Sequence, residues 1–143
     1  GCILGGGSET EQKALLQCGR NIGMAFQLVD DALDYDISNK DLGKEQGVDL
    51  KERKITLPLS HLIETVSQAE KSEIEEIMSA AEITDHHVQR ICQLMVLHRS
   101  GEYTLEQAQV YVKKAKNALD TIADNKYKTS IEQLSEFIVF RKK

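Results

Sequence analysis

The residues with the clearest capacity for chemistry are Asp30, Asp31, Asp34 and Asp36, four carboxylates within seven residues. They follow the apolar run Met24-Ala25-Phe26-Gln27-Leu28-Val29. On a helix, residues three and four apart share a face, so Asp30 and Asp34 stack one turn apart and Asp31 lies on the adjoining row. Gln27 precedes them by one turn. Like charges at this spacing oppose each other, and the negative end of the helix macrodipole favours cations over anions. A bound divalent cation would resolve both conflicts. Carboxylate oxygens suit Mg²⁺, which keeps several waters and is held through one or two carboxylates plus substrate phosphates. A solvated acidic helix end would present the same residues, so the surrounding sequence has to decide.

The next stretch, residues 36–53, is polar, carries Gly43 and Gly47, and shows little apolar periodicity. Loops of this length between helices are commonly binding segments. It brings Lys40, Lys44, Lys51, Arg53 and Lys54 behind the aspartates, and cations beside a metal-binding carboxylate cluster are what a diphosphate requires. Taken singly, each lysine reads first as a solvated surface charge.

The elements that must position these groups all read as helices. The chain has 143 residues, with 41% hydrophobic and 29% charged residues, one Pro and no Trp. That length suffices for one domain with a real core. Ser8 with Glu11 predicts a capping box, followed by Leu15, Ile22, Ala25, Val29 and Leu33 as a buried stripe. Thr56 is expected to cap a helix with Pro58 in its first turn and Leu59, Leu62, Ile63 and Val66 inward. Ser67 with Glu70 starts another, and Thr84 one more, which Gly101 is expected to end in the left-handed conformation. Thr104 with Gln107 predicts a helix running to about Asp124, and Thr129 with Glu132 the last.

Composition excludes several classes. A net charge of −5 argues against a general nucleic-acid surface. Cys2, Cys18 and Cys92 have no metal-ligand spacing and read as reduced thiols, consistent with a cytoplasmic protein. His61, His86, His87 and His98 lack the paired spacing of a zinc helix. Gly5-Gly6-Gly7 lacks the Gly-Lys-Ser/Thr of a phosphate loop and reads as a turn. No apolar run reaches the ~18 residues of a membrane span. The chain has no initiator Met, and Gly1-Cys2-Ile3-Leu4 reads like the tail of an earlier helix, which suggests a fragment.

Phe26-Gln27-x-x-Asp30-Asp31-x-x-Asp34, then Gly43-Lys44, then Asp49-Leu50-x-x-x-Lys54-x-Thr56-Leu57-Pro58, resembles the C-terminal half of trans-prenyl diphosphate synthases. The closing Leu134-Ser135-x-Phe137-Ile138-Val139-x-Arg141-x-Lys143 is similar to that family's end. The ordered set covers essentially the whole chain.

The resemblance implies an all-α helical bundle, residues 1–143 forming a single helical domain fragment of the isoprenoid synthase fold. It implies a Mg²⁺-dependent enzyme that joins isopentenyl diphosphate to an allylic prenyl diphosphate, acting as a homodimer without an integral membrane segment. Asp30, Asp31 and Asp34 match the second aspartate-rich motif and would hold Mg²⁺. Lys44 and Lys54 would contact the allylic diphosphate, Asp30, Asp31 and Lys44 being the catalytic set. Phe26 and Gln27 would face the substrate. Arg141, Lys142 and Lys143 are candidates to close over isopentenyl diphosphate, although cations at a helix C-terminus suit the dipole anyway.

In two respects the chain departs from the pattern. The family usually has Gly before the lysine that Lys54 matches; here Arg53 stands there, either adding a phosphate contact or altering the loop. The first aspartate-rich motif, which belongs to the family's N-terminal half, is missing. The piece alone is therefore expected to be inactive. The loop and the Lys-x-Thr-Leu-Pro start lean towards a long-chain, octaprenyl-type product, with short-chain farnesyl or geranylgeranyl synthesis as the alternative. A non-catalytic subunit of the same fold and a plain helical metal-binding module are readings of a different class. Retention of Asp30, Asp31 and Asp34 argues against the non-catalytic subunit.

Overall fold

A computed structural model describes residues 1–36 and 46–140. Those residues form seven helices and no strand: α1 (Glu9–Asp34), α2 (Val48–Lys51), α3 (Leu57–Thr65), α4 (Gln68–Ser79), α5 (Asp85–Leu97), α6 (Ser100–Ala118) and α7 (Lys126–Phe140). They divide into two compact units, residues 1–29 with 106–140, and residues 30–36 with 46–105.

In the first unit the Ser8–Glu11 capping box starts α1: the Ser8 backbone N–H donates to Glu11 Oε2 at 2.7 Å, and Glu11 N–H donates back to Ser8 Oγ at 3.3 Å. Cys18, Ala115 and Leu119 are buried, with Leu15, Ile22, Ala118, Ile122 and Ile131 packed against them. Ala14, Ala25, Ala108 and Ala115 also lie at buried positions of α1 and α6, where small side chains let helices approach closely.

The second unit has the larger cluster of buried aliphatic side chains. Leu50, Leu59, Leu62 and Ile91 are fully buried, and Tyr35, Ile74, Ile77, Ile83, Val88, Cys92, Leu94 and Met95 complete that core. Fully burying a Leu or Ile contributes roughly 1.5–3 kcal/mol, so this cluster is what holds α2 to α5 together. Pro58 sits in the first turn of α3 as expected, and both the Ser67–Glu70 box and the Thr84 cap are present. Thr84 forms its box with His87, whose Nδ1 accepts the Thr84 N–H at 3.2 Å.

Five features differ from the expectation. Within the stretch expected to be loop, Val48–Lys51 forms a helical turn, α2, because Leu50 supplies a fully buried anchor. Gly101 does not end α5; Arg99 takes the left-handed conformation (φ +55°), and Gly101 lies in the first turn of α6. Thr104 is not a cap but is buried inside α6, its hydroxyl donating to the Ser100 carbonyl at 2.9 Å. That helix ends at Ala118 rather than near Asp124. The cap of α7 is Asn125, not Thr129: Asn125 Oδ1 accepts the N–H groups of Tyr127 (2.9 Å) and Lys128 (3.1 Å).

Candidate functional site

The last turn of α1 carries the aspartates. Asp31 is buried at 7% exposure, whereas Asp30 and Asp34 are half-buried. Among the described residues, no three His, Cys, Asp or Glu side chains converge as a metal cage. On the same helix Phe26 is 44% exposed and Gln27 is exposed. Lys44 lies outside the described residues, as do Arg141, Lys142 and Lys143.

Asp34 is tied to the chain that follows it. Its carbonyl accepts the Gly47 N–H at 3.0 Å, and its carboxylate Oδ2 accepts the Asp49 N–H, also at 3.0 Å. The first N–H groups of a helix have no partner within it, so the Asp34 carboxylate serves α2 as a cap supplied from another element. Gly47 makes the approach possible. It sits at φ +65°, and a Cβ added there would lie 2.4 Å from Val88 Cγ1.

The C-terminus of α2 closes in a Schellman motif. Arg53 N–H donates to the Leu50 carbonyl (2.9 Å) and Lys54 N–H to the Asp49 carbonyl (2.8 Å), with Arg53 in the left-handed region at φ +58°. Lys54 Nζ then meets Asp49 Oδ1 at 3.2 Å and Glu52 Oε2 at 2.5 Å. Those two carboxylates, Glu52 first, raise its pKa. Hydrogen bonds thus run from Asp34 through Asp49 to Lys54. Asp49 has no repeat, cap or charge-cluster signal of its own, so its part in the link was not legible before folding.

Beneath this layer lie Tyr35 and Thr56. Thr56 precedes α3 in an extended conformation, but its hydroxyl makes no capping hydrogen bond. Both hydroxyls are buried and lack a hydrogen bond of full geometry, yet they lie near enough for Thr56 to oppose, in part, the upward push that burial gives the Tyr35 phenol. Burial and the charges of Asp34 and Asp36 push the Cys92 thiol up to about 11. The histidines have structural partners: His61 Nδ1 lies 3.0 Å from Ser100 Oγ and its ring stacks on Tyr103, while His98 Nε2 lies 3.4 Å from Glu70 Oε1.

The helix-borne aspartates, the linked lysine and the all-α architecture define a class, and comparison with known proteins agrees. The polyprenyl synthetase family model matches residues 1–95. This chain belongs to the polyprenyl synthetase family. It is 34% identical over 139 residues to the octaprenyl diphosphate synthase of Haemophilus influenzae, a match covering 97% of this chain and 42% of that protein. A decaprenyl diphosphate synthase from Rhodobacter capsulatus superimposes with a TM-score of 0.88 at 29% identity, over 97% of this chain and 43% of that one. The polyprenyl synthase of Caulobacter crescentus, solved with calcium and isoprenyl diphosphate, gives a TM-score of 0.83 at 35% identity, over 95% of this chain and 42% of that one. The fold is therefore that of the isoprenoid synthases, and the chain spans less than half the length of the relatives it matches.

Proposed function

We propose that the protein carrying this chain is a polyprenyl diphosphate synthase, joining isopentenyl diphosphate to an allylic diphosphate, and that residues 1–143 supply one wall of its active site. The observation that carries this reading is the linked series Asp34–Asp49–Lys54, which ties a carboxylate of the aspartate motif to an exposed cation. Diphosphate binding needs both kinds of group side by side.

Mg²⁺ fits the donors present. Carboxylate oxygens are hard ligands, and this ion is commonly held by one or two carboxylates with phosphate oxygens and water completing its shell. Asp30, Asp31 and Asp34 would hold it. When bound it supplies positive charge against the diphosphate oxygens.

In the proposed reaction the C1–O bond of the allylic substrate breaks and diphosphate leaves with the electron pair. The C3–C4 double bond of isopentenyl diphosphate attacks C1, and loss of the C2 proton restores an allylic double bond. Lys54 grips diphosphate oxygens, which take the place of Asp49 and Glu52 at its ammonium, and so stabilises the charge building on the leaving group. Lys44 is proposed to do the same, and Phe26 and Gln27 to face the prenyl chain. Apolar helix faces keep water from quenching the cation.

The product is proposed to be long-chain, of octaprenyl type, made by a cytoplasmic homodimer. No helix among the described residues is long and apolar enough to cross a membrane. The test is incorporation of labelled isopentenyl diphosphate into extractable prenyl product by the full-length protein, with product length read by mass. Asp30→Ala and Asp31→Ala are each expected to lower kcat/KM about 10²-fold or more. Unchanged turnover in both variants would sink the assignment.

A further inference from the structure

We propose that Arg53 is a positioning residue for Lys54, setting how that ammonium is presented to a diphosphate; the inference rests on the reading of Lys54 given above. Arg53 holds the left-handed backbone conformation that closes α2, one that residues with a Cβ adopt only at a cost. Its guanidinium does not face the aspartates. It reaches the C-terminal end of α4, where one nitrogen donates to the Ala80 carbonyl at 2.6 Å and another to the Met78 carbonyl.

The last carbonyls of a helix lack intrahelical donors and face the negative end of its dipole, so a planar cation with several N–H groups suits them well. Such anchoring offsets the backbone cost and pins the α2–α3 connection to α4. Lys54 is the next residue. Its N–H is held by the Asp49 carbonyl in the same motif, and its ammonium by the Asp49 carboxylate. With the backbone of residues 49–54 fixed from both sides, the Lys54 side chain starts from one defined origin beside Asp49, whose N–H is held by Asp34. A glycine at position 53 would keep the turn without strain but release it from α4.

The test uses the full-length protein and its Arg53→Gly, Arg53→Lys, Lys54→Ala and Arg53→Gly/Lys54→Ala variants. Folding is checked by circular dichroism, and inorganic diphosphate with Mg²⁺ is the calorimetric probe. Arg53→Gly is expected to weaken diphosphate binding and raise the KM for the allylic substrate about three- to tenfold, with kcat within about twofold. Arg53→Lys, with a point charge in place of the fork, is expected to fall between Arg and Gly. In the Lys54→Ala background the Gly substitution is expected to change binding no further. A lowered melting temperature with diphosphate affinity and KM unchanged would make Arg53 structural only, and additive effects in the double variant would overturn the link through Lys54. Diphosphate binding that responds to Arg53 in a protein without prenyl transfer would keep this inference and remove the enzymatic one.

Discussion

Gly47 and Arg53 show how differently two left-handed residues can be maintained. Gly47 is required twice over, by its φ of +65° and by Val88 lying where a Cβ would go. Gly47→Ala is therefore expected to destabilise by at least about 2 kcal/mol, read from urea denaturation of the intact protein. Arg53 stays left-handed because its side chain finds carbonyls at the end of α4. Asp34 separates two roles that substitution can divide. Asp34→Asn keeps an acceptor for the Asp49 N–H and removes the charge, whereas Asp34→Ala removes both. Ala is expected to cost about 1 kcal/mol or more in unfolding free energy beyond Asn, while both would remove the charge that the proposed metal-ligand role needs.

Among the elements, caps give the sharpest tests. Asn125→Ala is expected to cost about 1 kcal/mol by losing the acceptor at the start of α7, whereas Thr129→Ala should stay within about 0.5 kcal/mol. Chemical denaturation of the two variants side by side checks the assignment. The α4 cap also carries a pH dependence. Hydrogen bonds from Ser67, then the contact with His98, lower the Glu70 carboxyl from 4.5 to about 2. A depressed acid stabilises the fold above its unfolded pKa and loses that contribution as pH falls through the folded value. Melting temperature is thus expected to drop between pH 4.5 and about 2, and less steeply in Glu70→Gln, which can keep the box but does not titrate. Equal slopes for the two proteins would remove Glu70 from that account.

At the scale of the molecule, family membership and the span of the matches frame the activity. The relatives are more than twice as long as the matched stretch, which covers 42% of the Haemophilus protein. Residues 1–143 expressed alone are expected to show no incorporation of isopentenyl diphosphate under conditions in which the full-length protein turns over. Prenyl product from the piece alone would show that the aspartates of α1 need no partner motif. Gel filtration with light scattering on the full-length protein tests the proposed homodimer, for which a monomeric mass is the contrary result.

Most helices were legible because their signals are local. Ser8 and Glu11, Ser67 and Glu70, and Pro58 act within one turn, where backbone N–H groups must find acceptors whatever the rest of the chain does. Apolar spacing likewise identified Ala25, Val29, Leu59 and Leu62 as buried, since a helix has one face to hide. Thr104 and Gly101 misled for the opposite reason: burial of Ser100 and Thr104 overrides what an exposed threonine or glycine would do. The sequence by itself determined the all-α class, the aspartate motif and the family that motif resembles. Tertiary structure decided the wiring of the site, because the Asp34 carboxylate reaches the Asp49 N–H across fifteen residues and the Arg53 guanidinium reaches Ala80 across twenty-seven. Contacts at such separations have no periodicity in the chain. They exist only once the cluster around Leu50, Leu59 and Ile91 has brought α2, α3, α4 and α5 together.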